Sequence, residues 1–211
     1  MEQERIYFEH TLQLAKPFGN ISLKISNNSV KLGKGVLPLT DISGFSYGDT
    51  LMKYLGINGA KTFYLTVFSK NQNPIKFNFV RQAYQDHETI SQGLIKAVWE
   101  VVGKDILADY IAKLKNNETI SLHDGKIIIT PVGLNLKDHS IFNNRTTSIN
   151  WNDLTWELAY GELRIKSKEN NNNFSYSIIN TENILILVEL IKWKEYHWLN
   201  VANITTLKKP N

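Results

Sequence analysis

Two stretches of this 211-residue chain carry one pattern. Leu37-Pro-Leu-Thr-Asp-Ile-Ser-Gly-Phe-Ser-Tyr-Gly48 and Ile149-Asn-Trp-Asn-Asp-Leu-Thr-Trp-Glu-Leu-Ala-Tyr-Gly161 each set an apolar-x-apolar-x-Asp-apolar run several residues ahead of Tyr-Gly. Two strand-like runs follow each stretch, and then a helix-period segment carrying a Trp. Self-similarity of this kind predicts two copies of one supersecondary plan. The length agrees, since each half is long enough to bury a core of its own.

The first half reads mainly as antiparallel strand. Residues 5–14 suit an opening strand, and Lys16-Pro-Phe-Gly-Asn20 turns it. Ile21, Leu23 and Ile25 then fall on one face, and Ser26-Asn-Asn-Ser29 turns the chain into Val30-Lys-Leu32. Residues 48–59 read either as a long loop or as a short helical turn. Thr62–Phe68 is aromatic and β-branched and predicts a strand, returned by Asn71-Gln-Asn-Pro74 into Ile75–Val80. After Arg81 the period changes to about 3.6: Ile90, Leu94, Val98 and Val101 line one face. Gly103 is expected to interrupt or kink this helix. A second helical run, Asp105–Lys115, stacks Ile106, Tyr110 and Leu114 and stops at Asn116-Asn117.

The second half repeats the order. Thr119–His123 and Lys126–Thr130 predict strands about the turn His123-Asp-Gly125, and Pro131–Leu136 is expected to continue extended. A polar loop over 138–147 leads into the Trp151 stretch, read as a strand pair with Trp151 largely buried and Asp153 at a turn or strand end. Glu162–Lys168 alternates and returns through Asn170–Asn173 as Phe174–Ile179. A helix capped by Asn180 or Thr181 and running to about Leu199 is expected to bury Ile184, Leu187, Val188, Ile191 and Trp198, with residues 203–211 as a loose tail.

A strand meander closed by one amphipathic helix, done twice, resembles the pleckstrin-homology (PH) plan. The residues that carry the resemblance are Leu114–Leu134, with its helix end, hairpin and Gly-Leu; Ile149-Asn-Trp-Asn-Asp-Leu154; and Asn183-Ile-Leu-Ile-Leu187. They are similar to bacterial PH-like proteins of unknown function. The likeness covers residues 104–200 and is topological over 1–103, where Leu39 stands in place of Trp151. It implies a mainly β, α+β fold of two PH-like antiparallel barrels or sandwiches, each closed by a C-terminal helix. The expected domains are 1–103, with a long closing helix, and 104–211, preceded by a linking helix. The resemblance carries no catalytic residues.

Composition narrows the function classes. With 42% hydrophobic and 21% charged residues the chain has the makings of a folded core. It has no cysteine, which excludes disulfides and thiolate chemistry. The acidic start Met1-Glu-Gln-Glu lacks an apolar run after it, and Ile184–Trp193 is too short and too charged to span a bilayer, so a soluble cytoplasmic protein is expected. The formal charge is +4, all of it carried by residues 1–115, with 14 basic against 10 acidic. That surplus is spread thin, unlike the dense stripe of a nucleic-acid binder.

No catalytic constellation emerges. His10, His87, His123, His139 and His197 are scattered, and Asp86-His-Glu88 serves a polar helix start more simply than a metal site. Gly33-Lys-Gly35 lacks the rest of a phosphate loop. Asp41 and Asp153 match each other, yet neither has an acid–base partner beside it. Neither a metal nor a cofactor is expected. The weak ligand-binding candidates are two basic sets: Lys24, Lys31 and Lys34 around the first hairpin, where many PH domains hold phosphoinositide headgroups, and Arg164, Lys166 and Lys168 along one strand face. Non-catalytic binding or scaffolding is the expectation, with a protein or peptide partner favoured over an anionic membrane surface. A homo-oligomer is compatible with the sequence, whereas a nucleic acid or an enzymatic role finds no support in it.

Overall fold

The computed structural model describes residues 3–13, 20–54, 57–80, 87–137, 146–169 and 172–206. It is an α+β protein in which strand predominates, with four antiparallel sheets. The chain divides into two compact units, Met1–Ile106 with Ser177–Glu182, and Leu107–Tyr176 with Asn183–Asn211.

In unit 1 the first sheet is a meander of β1 (Ile6–Gln13), β2 (Asn20–Ser26), β3 (Ser29–Leu32) and β4 (Gly35–Pro38). The turn of Ser26-Asn-Asn-Ser29 forms as the sequence predicts, with the Ser26 hydroxyl accepting the Ser29 amide at 3.3 Å. A single 3-10 turn, Leu39–Asp41, leads into the second sheet, β5 (Ile42–Tyr54), β6 (Ile57–Ser69) and β7 (Ile75–Val80). Residues 48–54 and 57–59 are therefore strand and not the expected loop or helical turn; β5 and β6 form one long hairpin, which pays for the weak local signal with cross-strand pairing.

Strand alternation fills the unit 1 core with Leu23, Ile25, Val30, Phe45, Phe63, Leu65 and Val67, all essentially inaccessible. Helix α1 (His87–Val98) packs on β1 and β2 and buries Ile90, Leu94, Ala97 and Val98. Gly93 lets the helix approach closely, since a Cβ there would stand 2.6 Å from the Phe8 ring. As expected, the α-helix is interrupted at Gly103. This glycine closes a π-helical turn, Trp99–Gly103, that runs straight into α2 (Lys104–Lys115). The Trp99 ring lies over Gly103, where a Cβ would come within 2.6 Å of it, and meets Phe45 edge-on at 5.8 Å. Asn117, at φ 62°, stops α2, with the Glu118 amide donating back to the Lys113 carbonyl at 2.9 Å.

Unit 2 follows the same order of elements. Its first sheet is β8 (Ile120–Leu122), β9 (Ile127–Thr130), β10 (Gly133–Lys137) and β11 (Thr146–Asn150). Its second is β12 (Leu154–Ala159), β13 (Glu162–Ser167) and β14 (Asn173–Ser177). The stretch Pro131–Leu136 is not uniformly extended: Pro131-Val132 turns the chain between β9 and β10. Residues 138–145 of the expected polar loop lie outside the described residues. Helix α3 (Ile184–Thr206) begins after Asn183, later than the expected caps Asn180 and Thr181, and runs past the start of the expected loose tail. As predicted it buries Ile184, Leu187, Val188 and Ile191, and it adds Ile186 and Leu190. The Trp198 side chain lies outside the described residues.

The two units share more than strand order. Leu39 and Trp151 each donate a backbone N–H to a hairpin-turn carbonyl, Asn28 at 3.0 Å and Val132 at 3.1 Å. The hydroxyls of Ser26 and Thr130 brace those hairpin turns alike, accepting the amides of Ser29 and Gly133. Lys70 and Lys168 donate backbone N–H groups to Asp41 and Asp153 carbonyls at 2.8 and 2.7 Å. Their ammonium groups reach the preceding carbonyls, Thr40 at 2.9 Å and Asn152 at 2.6 Å.

Candidate functional site

The site grows from the connection between β11 and β12. Within the stretch read as a strand pair, two strands form, the end of β11 and β12, and Trp151-Asn-Asp153 is the turn between them, where the Asp153 amide closes on the Asn150 carbonyl at 3.0 Å. Asp153 thus sits at a turn, as predicted. Trp151, expected to be largely buried, keeps a minor part of its surface exposed. Leu39 at the matching turn of unit 1 shows that a smaller apolar residue suffices there, and it too is partly exposed. The Trp151 Nε1 donates to the Pro131 carbonyl at 3.1 Å, which fixes the ring plane across the neighbouring hairpin turn.

A cleft of about 440 Å³ opens on one side of this indole, floored by Trp151, Leu154 and Ile191 and edged by Lys168, Lys194 and Glu195. A second, of about 390 Å³, opens between the same indole and the Pro131-Val132 turn, with Asp153 and again Lys194 at its edge. Val132, 70% exposed, stands at the rim of the second cleft.

Lys194 stands between the two clefts. Its Nζ lies 5.6 Å from the Trp151 ring and 5.4 Å from the Trp193 ring, and it donates to the Pro131 carbonyl at 3.3 Å. Partial burial holds its pKa below the ordinary lysine value, because desolvation disfavours the charged form. Glu195 is engaged sideways, its Oε1 accepting from Trp156 Nε1 at 3.0 Å. Among the described residues neither Lys168 nor Lys194 has a carboxylate within ion-pair distance. Each is anchored on a backbone carbonyl and keeps donors to spare.

The basic residues singled out in the sequence do not gather in one place. Lys24 pairs with Glu4 at 2.8 Å and faces Lys31 across β2 and β3, while Lys34 lies in the turn before β4. The Lys24 ammonium holds the Glu4 carboxyl below its usual range. Arg164 lies 3.5 Å from both Glu157 and Glu162 and 5.4 Å from the exposed Tyr160 ring, and Lys166 reaches Glu157 at 4.0 Å. Lys168 leaves that stripe and turns to the cleft. Sequence reasoning missed Lys194 and Val132 altogether. A lysine among other charges on a helix carries no local signal, and neither does a single valine at a turn.

The described residues hold no cluster of three or more His, Asp or Glu side chains placed for a metal ion. Asp86 and the side chains of His87, His139 and His197 lie outside them. No described helix is long and apolar enough to cross a membrane. Comparison with protein-family models, with curated proteins and with solved structures finds no match to this chain.

Proposed function

We propose that the chain is a non-catalytic binding or scaffolding protein built from two PH-like units, and that unit 2 takes a protein or peptide segment beside Trp151. Four strands, three strands and a following helix, in the same order twice, support the PH-like reading. So do the matched hydrogen bonds at Leu39 and Trp151 and at Lys70 and Lys168. The observation that carries the binding reading is the partly exposed Trp151 with an apolar-floored cleft on either side. Peptide segments are held by strand addition at a sheet edge or by side chains seated in an apolar groove.

The neighbouring strand adds a second mode of attachment. β12 is the terminal strand of its sheet, and among the described residues no further strand pairs with its outer edge, the position at which a partner strand adds. Leu154, its first residue, floors the cleft, and Leu158 further along is 46% exposed. A segment seated beside Trp151 would therefore lead onto an open strand edge.

The test is to pan a displayed library of random dodecapeptides on the full chain. Peptides that bind wild type and are lost with Trp151→Ala or Val132→Asp, both still folded by circular dichroism, are the expected result. Recovery of no peptide, or of peptides indifferent to both substitutions, would sink the reading.

A further inference from the structure

The charges around Trp151 are unevenly divided between its two clefts. The one against α3 has two ammonium groups, Lys168 and Lys194, and one carboxylate, Glu195, which leaves a net positive charge. The one against the Pro131-Val132 turn has Lys194 and Asp153, whose charges cancel. Lys192, two residues before Lys194 on the same helix, is satisfied by Glu189 at 2.6 Å. Lys168 and Lys194 instead rest on carbonyls, with N–H donors directed at no anion of the described residues.

We infer that the ligand of this cleft is an acidic peptide segment: an Asp or Glu carboxylate between Lys168 and Lys194, with a large apolar side chain next to it seated against Trp151 and Val132. The inference deepens the peptide-binding reading and rests on it. A carboxylate is the complement of two ammonium groups, and a charge-assisted hydrogen bond to each is shorter and stronger than the bond to a neutral carbonyl. The half-buried position of Lys194 strengthens this further, because a cation already stripped of part of its water gains more from an incoming anion. The neighbouring cleft, net neutral and rimmed by Val132, has no use for a charge and takes the apolar neighbour. One extended segment satisfies both.

The experiment is the same library, panned on the full chain and sorted against Lys168→Met and Lys194→Met, which remove the ammonium and keep the hydrocarbon stem. The expected outcome is enrichment of Asp or Glu beside an aromatic or large aliphatic residue. A synthetic copy of a recovered peptide should then lose about tenfold in affinity with either variant, and about tenfold when its own acid becomes the amide, the scale of one charge-assisted hydrogen bond. Peptides without acidic enrichment that need Trp151 and ignore both lysines would overturn the acidic assignment and leave peptide binding standing. An empty selection would remove both.

Discussion

Asn183 donates from Nδ2 to the phenol oxygen of Tyr110 at 3.1 Å, and both residues are buried. The same Asn183 holds φ at 57° and accepts the Leu187 amide at 3.0 Å, so it is the hinge on which α3 starts. Two contributions can be separated by substitution. Asn183→Gly keeps the left-handed backbone and loses the buried bond, at a cost of about 1–3 kcal/mol. Asn183→Ala loses both and is expected to be less stable again by about 1 kcal/mol. Urea denaturation followed by tryptophan fluorescence measures the pair; equal midpoints would show that the backbone conformation contributes nothing.

Gly133 and Gly161 should respond oppositely in scale. A Cβ on Gly133 would overlap the Ile149 carbonyl oxygen and stand 2.8 Å from the Asn150 Cα, both of them backbone. A Cβ on Gly161 meets nothing, and its only obstacle is φ +77°. Gly161→Ala is expected to cost about 1–2 kcal/mol. Gly133→Ala must separate β10 from β11 and is expected to cost about 3 kcal/mol, the upper end of the usual range for forced overpacking. Thermal unfolding of the two variants checks the order.

The Ser46 hydroxyl donates to the Ile179 carbonyl at 2.6 Å, the Ser43 hydroxyl donates to Glu182 at 2.6 Å, and Ile179 lies over Gly48. A Cβ on Gly48 would meet Ile179 at 3.0 Å. Gly48→Val is therefore expected to lift residues 177–182 away, and Ser46→Ala to loosen them. Hydrogen exchange should quicken at Ile178 to Thr181 in both variants, more in the first. Unchanged protection there would refute the attachment.

Lys194 gives stability an alkaline dependence. Its folded pKa lies below the ordinary value, so over the window between the two the unfolded chain binds more protons. Stability then rises as pH climbs from the folded pKa towards about 10.4, the unperturbed lysine value. The Lys194→Met variant should lose that rise and be no less stable than wild type below it. Denaturation midpoints at a series of alkaline pH values check both; identical slopes would mean that burial does not tune this ammonium.

The legible parts of the fold were those in which one face is buried. Ile21, Leu23 and Ile25 alternate because β2 has the core on one side, and Ile90, Leu94 and Val98 recur because α1 lies on a sheet. Periodicity failed where pairing or turn geometry decides. The hairpin of β5 and β6 has Gly and polar residues near its tip, and the Trp151 turn depends on hydrogen bonds to a carbonyl nineteen residues upstream. The basic stripe of Arg164 and Lys166 was visible in sequence, but its carboxylate neighbours on β12 and at the start of β13 were not. Lys168 was visible too, whereas its direction was set by Asn152 across the turn.

Residues Ser177–Glu182 belong to unit 1 although they are separated from the rest of it by seventy residues of unit 2. The order of synthesis therefore leaves unit 1 incomplete until the chain has passed position 182. A nascent chain stopped at residue 106 would present Ser46 and Gly48 without their cover. Completion of the first unit and the start of α3 are then one event in the life of the polypeptide, since Glu182 and Asn183 are adjacent.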